Sequence, residues 1–358
     1  MTRFLLLSLL ALSFNLPFGS SDELPVRGLS IKCPAAQQVD RFISFVDTEL
    51  APRGINLLVL RVDYNFDYQS HPELKAPNPL SLAQVKQLVD MGKRNGIRII
   101  PQINLFGHQS WHSTLGPLLR VYPEFDETPE IELPPEGTYK WPNQDGLYCK
   151  SYCPLHPDVH KIVFALVDEI TEAFEADAFH AGLDEVFYIG HDQCDRCRGK
   201  DVAELFAGEV IKIRDHLAKT NKKLWIWGDR LIDADTTGIG MWEASDSGTH
   251  RAIDLIPTDV VICDWHYERA EPTPTYFALK GFNVLACPWD KPAPARQQYE
   301  QAIAFRAHSN PKLAERHQGI LHTYWSSAKH FMDLYEDPTG ATEKQLGPIK
   351  VLEEIFPK

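Results

Sequence analysis

No stretch beyond the first dozen residues approaches the roughly 20 consecutive apolar residues that a membrane-spanning helix needs, so no span is expected in the body of the chain. Positive charge is also scarce. The 36 Lys and Arg face 49 Asp and Glu, a net charge of −13 without any basic cluster, which argues against nucleic acid and anionic membrane surfaces as partners. Neither a Gly-rich phosphate loop nor a dinucleotide fingerprint occurs, so no nucleotide cofactor is expected. An Asp-x-Asp-x-Asp-Gly calcium loop is lacking too, and no metal is assigned to the chemistry. Low-complexity linkers are absent, and no boundary divides the chain into domains.

What is present begins with a leader. Met1-Thr-Arg3 is followed by the apolar run Phe4 to Leu12 and by Pro17-Phe-Gly-Ser-Ser21, the pattern of a signal peptide over residues 1–21. A secreted or periplasmic protein is expected, with residues 22–358 as its folded part. Seven cysteines in an exported chain favour some disulfides, with at least one free thiol or intermolecular bond. Cys149 and Cys153 share one loop and Cys194 and Cys197 another, a spacing that suits paired disulfides first and a zinc site as the alternative. Cys263 and Cys287 lie inside apolar runs and read as inert buried thiols.

Strand-like apolar runs alternate with longer amphipathic stretches. The strands are expected at Gly28 to Ile31, Asn56 to Val62, Ile97 to Leu105, Ala178 to Leu183, Lys223 to Trp227, Val260 to Trp265, Asn283 to Pro288 and Gly319 to Trp325. Helices are expected at Ala35 to Leu50, Leu82 to Asn95, Pro157 to Phe174, Val202 to Thr220 and Arg296 to His308, with Ser81 and Asp201 as N-caps and Gly96 as a stop. The connection around Pro272 to Gly281 carries the weakest helical pattern. Eight strands alternating with helices in one undivided chain predict an α/β fold, a single (β/α)8 TIM barrel.

In such a barrel the loops after the strands build the active face. The expected strand ends read Asp63-Tyr64, Gly107-His108, Asp184-Glu185, Trp227-Gly-Asp229, Asp264-Trp-His266, Trp289-Asp290 and Tyr324-Trp325. Asp184 and Glu185 are adjacent where an apolar strand ends, and neighbouring strand residues point in different directions, so two acids can serve different atoms of one substrate. His108 stands at a glycine turn on the preceding strand end and can tune an acid, while Asp63, one strand earlier, can orient His108. Trp227, Trp265, Trp289 and Trp325 close four consecutive strands and suit an aromatic-walled sugar pocket. Asp229 and Asp290 either hold sugar hydroxyls or cap loops, and His266 has no assigned role.

Taken together, His180-Ala-Gly-Leu-Asp-Glu185, Pro101-Gln-Ile-Asn-Leu-Phe-Gly-His108 and the strand-end tryptophans resemble glycoside hydrolase family 20, the β-N-acetylhexosaminidases. Asp184-Glu-Val-Phe-Tyr-Ile-Gly190 and Trp227-Gly-Asp-Arg230 look closest to its hexosaminidase D branch. The resemblance implies hydrolysis of an N-acetylated amino-sugar glycoside without a cofactor. It implies Glu185 as proton donor, Asp184 as the partner of the substrate's acetamido nitrogen, Asp63 and His108 as tuning groups, and His180 within the same motif. Trp227, Trp265 and Trp325 would wall the acetamido pocket. The first strand departs from the pattern, reading Leu29-Ser-Ile-Lys32 where an arginine is usual. Pro288-Trp-Asp290 lacks the usual tyrosine, for which Tyr267 or Tyr324 are candidate replacements, and Trp325-Ser-Ser327 lacks a glutamate. Two other readings remain open: a catalytically weak sugar-binding protein, and a barrel glycosidase with a covalent carboxylate nucleophile.

Overall fold

The computed structural model describes residues 24–136, 138 and 149–358. The proposed leader lies outside them. Eight parallel strands close into a barrel: β1 (Val26–Lys32), β2 (Leu57–Arg61), β3 (Arg98–Leu105), β4 (Ala178–Gly182), β5 (Lys223–Trp227), β6 (Val261–Trp265), β7 (Asn283–Cys287) and β8 (His317–Tyr324). β8 returns to pair with β1 in register Val26↔Gly319 through Ile31↔Tyr324. The (β/α)8 architecture expected from the sequence is the one observed, with strand ends shifted by a few residues.

Period-2 alternation sorts the strand residues into two cores. Leu57 and Val59 of β2, Trp225 and Trp227 of β5, Cys263 and Trp265 of β6 and Leu285 and Cys287 of β7 pack together inside the barrel. Leu58, Leu60, Ile226, Ile262 and Val284 pack outward in the layer shared with the helices. The interior is therefore solid below and aromatic toward the strand C-termini, so the barrel mouth is a lined basin above a packed floor.

The helices follow local chemistry. Ser81 caps Leu82–Asn95 in a reciprocal box with Gln84, and Gly96 ends it at φ 65°. Asp201 accepts from the N–H groups of Ala203 and Glu204 at the start of Val202–Ala218. The helix expected from Arg296 begins at Pro292, because proline is accommodated in a first helical turn, where its missing N–H has no intrahelical acceptor to lose. The expected helix Ala35 to Leu50 is three pieces: a 3-10 turn, an α-helix at Val39–Phe45 and a π turn at Val46–Leu50. The weak sixth connection does form a helix, Thr273–Lys280. Among the described residues no helix is long and apolar enough to cross a membrane.

The disulfide expectation is not met. All seven cysteines are free, and the Sγ atoms nearest to one another in the two loops, Cys153 to Cys197 and Cys194 to Cys153, are 3.5 and 3.6 Å apart. A disulfide requires about 2.05 Å.

Candidate active site

The backbone at the ends of β2, β3 and β4 is strained where chemistry is expected. Asp63 (φ 48°), Phe106 (φ 64°), His108 (φ 55°), Leu183 (φ 66°) and Glu185 (φ 50°) all occupy the left-handed region without being glycine. Each such residue costs about 1–3 kcal/mol and persists only where its surroundings over-determine it, a condition concentrated at functional sites. Two glycines make the crowding feasible. A Cβ on Gly107 would stand 2.7 Å from the Asp184 carbonyl oxygen, and one on Gly182 (φ 70°) 2.5 Å from Oδ1 of Asn104. The β3 and β4 ends thus touch backbone to backbone.

That approach brings three titratable side chains together. Nε2 of His108 lies 3.0 Å from Oδ2 of Asp184 and 3.3 Å from Oε2 of Glu185. Burial opposes the charged forms of both His108 and Asp184, but their neighbours outweigh it. The Cys149 sulfur and then the Asp184 carboxylate carry the imidazole above its ordinary value, and His108 holds the Asp184 carboxyl below its own. They form a partly buried ion pair with Glu185 at its edge. Oδ1 of Asp184 is buried and has no hydrogen-bond partner among the described residues. A charged oxygen in that position is costly unless a donor reaches it.

Of the expected chain Asp63 to His108 to Glu185, His108 lies beside Glu185 and within the field of Asp63. Oδ1 of Asp63 accepts from the N–H of Asn104 at 3.0 Å, so Asp63 braces the β3 end that carries Gly107 and His108. Burial raises its carboxyl, with Arg61, Lys32 and His108 opposing. His108 itself faces both carboxylates.

Asp229 also differs from its expected place among sugar-contacting groups. It is 1% exposed, its Oδ2 accepting from the N–H of Glu185 at 2.9 Å and from Nε of Arg230 at 2.7 Å, its Oδ1 from Nε1 of Trp265 at 3.1 Å. Burial carries the carboxyl up to about 6 against the Arg230 charge. Asp229 is a positioning residue that clamps the Glu185 backbone, because the turn at Gly228 aims it inward.

His180 is likewise withdrawn from the mouth. It pairs in register with Trp225, a layer below Trp227, is fully buried, and accepts the Gly182 N–H on Nδ1 at 3.1 Å. The Trp227 ring lies 4.5 Å from it.

Five aromatic rings link up at the mouth. Trp227 contacts Trp325 at 5.4 Å, Trp265 contacts Tyr267 at 5.1 Å and Tyr267 meets Trp289 edge-on at 5.2 Å. Nε1 of Trp325 donates to the Tyr267 hydroxyl at 2.8 Å, which makes Tyr267 the tyrosine of the basin. Tyr324 instead packs outward against Phe331. Asp290, half-buried after Trp289, has its carboxyl raised by burial. His266 sits between Asp264 at 3.1 Å and Glu243 at 2.8 Å; burial lowers it, but these two carboxylates carry it up to about 10. It ties the β6 end to the loop before it.

Two residues of the site escaped the sequence reading. Arg61, at the end of β2, places its guanidinium 4.8 Å from the Trp325 ring and donates to the Tyr324 carbonyl at 2.7 Å, within the field of Asp63 and Asp184. A lone charge ending the run Leu57-Leu-Val-Leu-Arg61 was the available signal. Trp111, 54% exposed on a hairpin after β3, stands 6.5 Å from the His108 ring. Its exposure has no signature in sequence.

Comparisons with known proteins bear on the family and the fold. The family description "Glycosyl hydrolase family 20, catalytic domain" matches residues 66–310. That span holds β3 to β7 and omits β1, β2 and β8. A β-hexosaminidase of Vibrio furnissii is 23% identical over 211 residues, 57% of this chain and 29% of that protein. Hexosaminidase D of Bos taurus is 24% identical over 148 residues, 40% of this chain and 36% of that protein. This chain therefore spans about a third of the length of these curated relatives. The exo β-N-acetylglucosaminidase of Vibrio harveyi, solved in complex with N-acetylglucosamine, shares the fold at a TM-score of 0.62 and 16% identity, over 93% of this chain and 54% of that one.

Proposed function

The chain belongs to glycosyl hydrolase family 20, and on that premise we propose that it is an exo-acting, retaining β-N-acetylhexosaminidase that releases terminal β-linked N-acetylglucosamine or N-acetylgalactosamine. The observation that carries the reading is Asp184: ionised by His108 on Oδ2, bare on its buried Oδ1, and next to Glu185 under an aromatic wall. A carboxylate so placed suits an amide N–H that acquires positive charge.

In the proposed reaction Glu185 gives its proton to the glycosidic oxygen while the substrate's acetamido oxygen attacks C1, and the C1–O bond breaks. The product of that step is an oxazolinium ion whose N–H is held by Asp184. Glu185, now a carboxylate, takes a proton from the water that attacks C1 and reopens the ring, so two inversions retain configuration. Holding the nucleophile within the substrate exploits the high effective molarity of oriented intramolecular reactions. Trp227, Trp265, Trp325 and the Tyr267 hydroxyl enclose the acetamido group in this reading. Arg61 stands in for the arginine lacking in β1, and Trp289 and Asp290 border the sugar.

The test is a panel of aryl β-glycosides differing at C2 and C4. Turnover of the 2-acetamido sugars and not of the 2-hydroxy sugars is expected. Comparable turnover of both would replace this mechanism by a covalent carboxylate nucleophile, and binding of a thiazoline mimic without any hydrolysis would indicate a sugar-binding protein.

His108 supplies a pH prediction. Asp184 is held below its ordinary value of 3.8, so its charged form, and the stability it contributes, persists above that value and is lost only as pH falls through the depressed value. In His108→Gln the restraining charge is gone and burial dominates. The acid limb of the kcat/KM profile should then move to higher pH; an unmoved limb would show that His108 does not set the charge of Asp184.

A further inference from the structure

Beside the acid pair, the loops after β3 and β4 converge on a second cluster that the glycosidase chemistry does not use. Side-chain ligand atoms of Glu127, Cys153, Cys194 and Cys197 all lie within 4.8 Å of one another, and all four residues are buried. From this arrangement we propose a structural zinc site with three thiolate ligands and one carboxylate. Two sulfurs bound to one tetrahedral zinc at about 2.3 Å lie about 3.8 Å apart, close to the 3.5 and 3.6 Å separations found here.

Glu127 supplies an independent observation. The residue is 0% exposed, its Oε1 accepts from the N–H of His191 at 3.1 Å, and its Oε2 has no hydrogen-bond partner among the described residues. A carboxylate buried beside three sulfurs is costly without a counter-charge, which a cation would supply. Cys194-x-x-Cys197 has the short spacing of a zinc knuckle. On binding, three thiol protons pass to solvent and no group changes oxidation state.

The ligand set is not the four-cysteine grouping that spacing suggests. Cys149 is turned toward the active site, its sulfur accepting from the His108 N–H at 2.8 Å, and Glu127 takes the fourth position. Zinc is favoured over harder cations by the thiolates and over redox metals by the closed, four-ligand shell. Its structural effect follows from the backbone. Segment 149–153 pairs with the His108 loop through Tyr152 N–H to the Phe106 carbonyl at 3.1 Å and Gln109 N–H to the Lys150 carbonyl at 2.9 Å, while Cys194 lies on the loop leaving Glu185. One ion would staple the two loops that carry His108 and the acid pair.

The experiment is metal analysis of the full-length reduced protein after equilibration with zinc and gel filtration, which reads metal content without reference to glycosidase activity. One zinc per chain is expected, and replacement by Co(II) should produce the intense visible bands of a tetrahedral thiolate site. Cys194→Ser should lose the bound metal. Glu127→Gln, which keeps side-chain volume, should release zinc to a chelator faster than the wild type, and Cys149→Ser should keep full stoichiometry. Wild-type protein that is folded and reduced but takes up no zinc would overturn the proposal. So would a Cys153–Cys197 disulfide found by mass spectrometry, or loss of zinc in Cys149→Ser.

Discussion

Glu185→Gln is expected to lower kcat/KM on an aryl N-acetylglucosaminide or N-acetylgalactosaminide by about 10²–10⁴-fold, the usual contribution of a positioned general acid and base. Glutamine preserves the size of the side chain and can still meet Nε2 of His108, now 3.3 Å from Oε2, and the backbone N–H clamped by Asp229 is untouched. Folding should therefore be intact by circular dichroism and thermal melting. What is lost is the proton for the departing oxygen and the base for the incoming water. The first loss depends on the leaving group, since a nitrophenolate departs without protonation and an alkoxide does not. The deficit should accordingly widen from nitrophenyl to unactivated disaccharide substrates. Near-wild-type turnover on a disaccharide would remove Glu185 from the acid role.

The barrel was legible because its signal is periodic. Alternation in Leu57-Leu-Val-Leu-Arg61 and Lys223-Leu-Trp-Ile-Trp227 places Trp225 and Trp227 on the same inward face and Leu224 and Ile226 on the other. The acid pair was legible for the same reason, as it terminates such a run. Direction beyond the strand end was not. Asp229 and Asp290 occupy similar positions after β5 and β7, yet the Gly228 turn sends Asp229 into the barrel wall, where three donors consume it. His180 lies in the most specific stretch of the motif but one layer too deep to reach a ligand at the mouth. Its period-2 phase relative to Asp184 was in the sequence; the depth of the basin floor, set by the size of Trp227, was not.

Contacts assembled by irregular loops were the least accessible. Glu127 joins Cys153, Cys194 and Cys197 across two connections without periodicity, so spacing pointed to Cys149 instead. Arg61 was hidden differently: it reads as the end of a strand, and only closure of β8 onto β1 brings Trp325 and the Tyr324 carbonyl to it.

Asp184→Asn should reduce kcat by about 10²–10³-fold, the scale on which removal of one preorganised electrostatic group acts, with a much smaller change in KM. The neutral amide of the bound sugar gains little from a carboxylate that the positive oxazolinium gains much from, so the loss falls on the transition state. Affinity for a protonated thiazoline should fall in parallel with kcat. A second readout separates this from simple misplacement. The Asp184 charge helps hold His108 above its ordinary value, whereas burial alone would lower it. In Asp184→Asn the His108 imidazole should therefore titrate at lower pH, a shift visible in its NMR resonances. Should kcat fall while thiazoline affinity and the His108 titration stay unchanged, Asp184 would be acting as something other than the charge that holds the acetamido nitrogen, and capture by a mechanism-based fluorosugar would then show whether it is a covalent nucleophile.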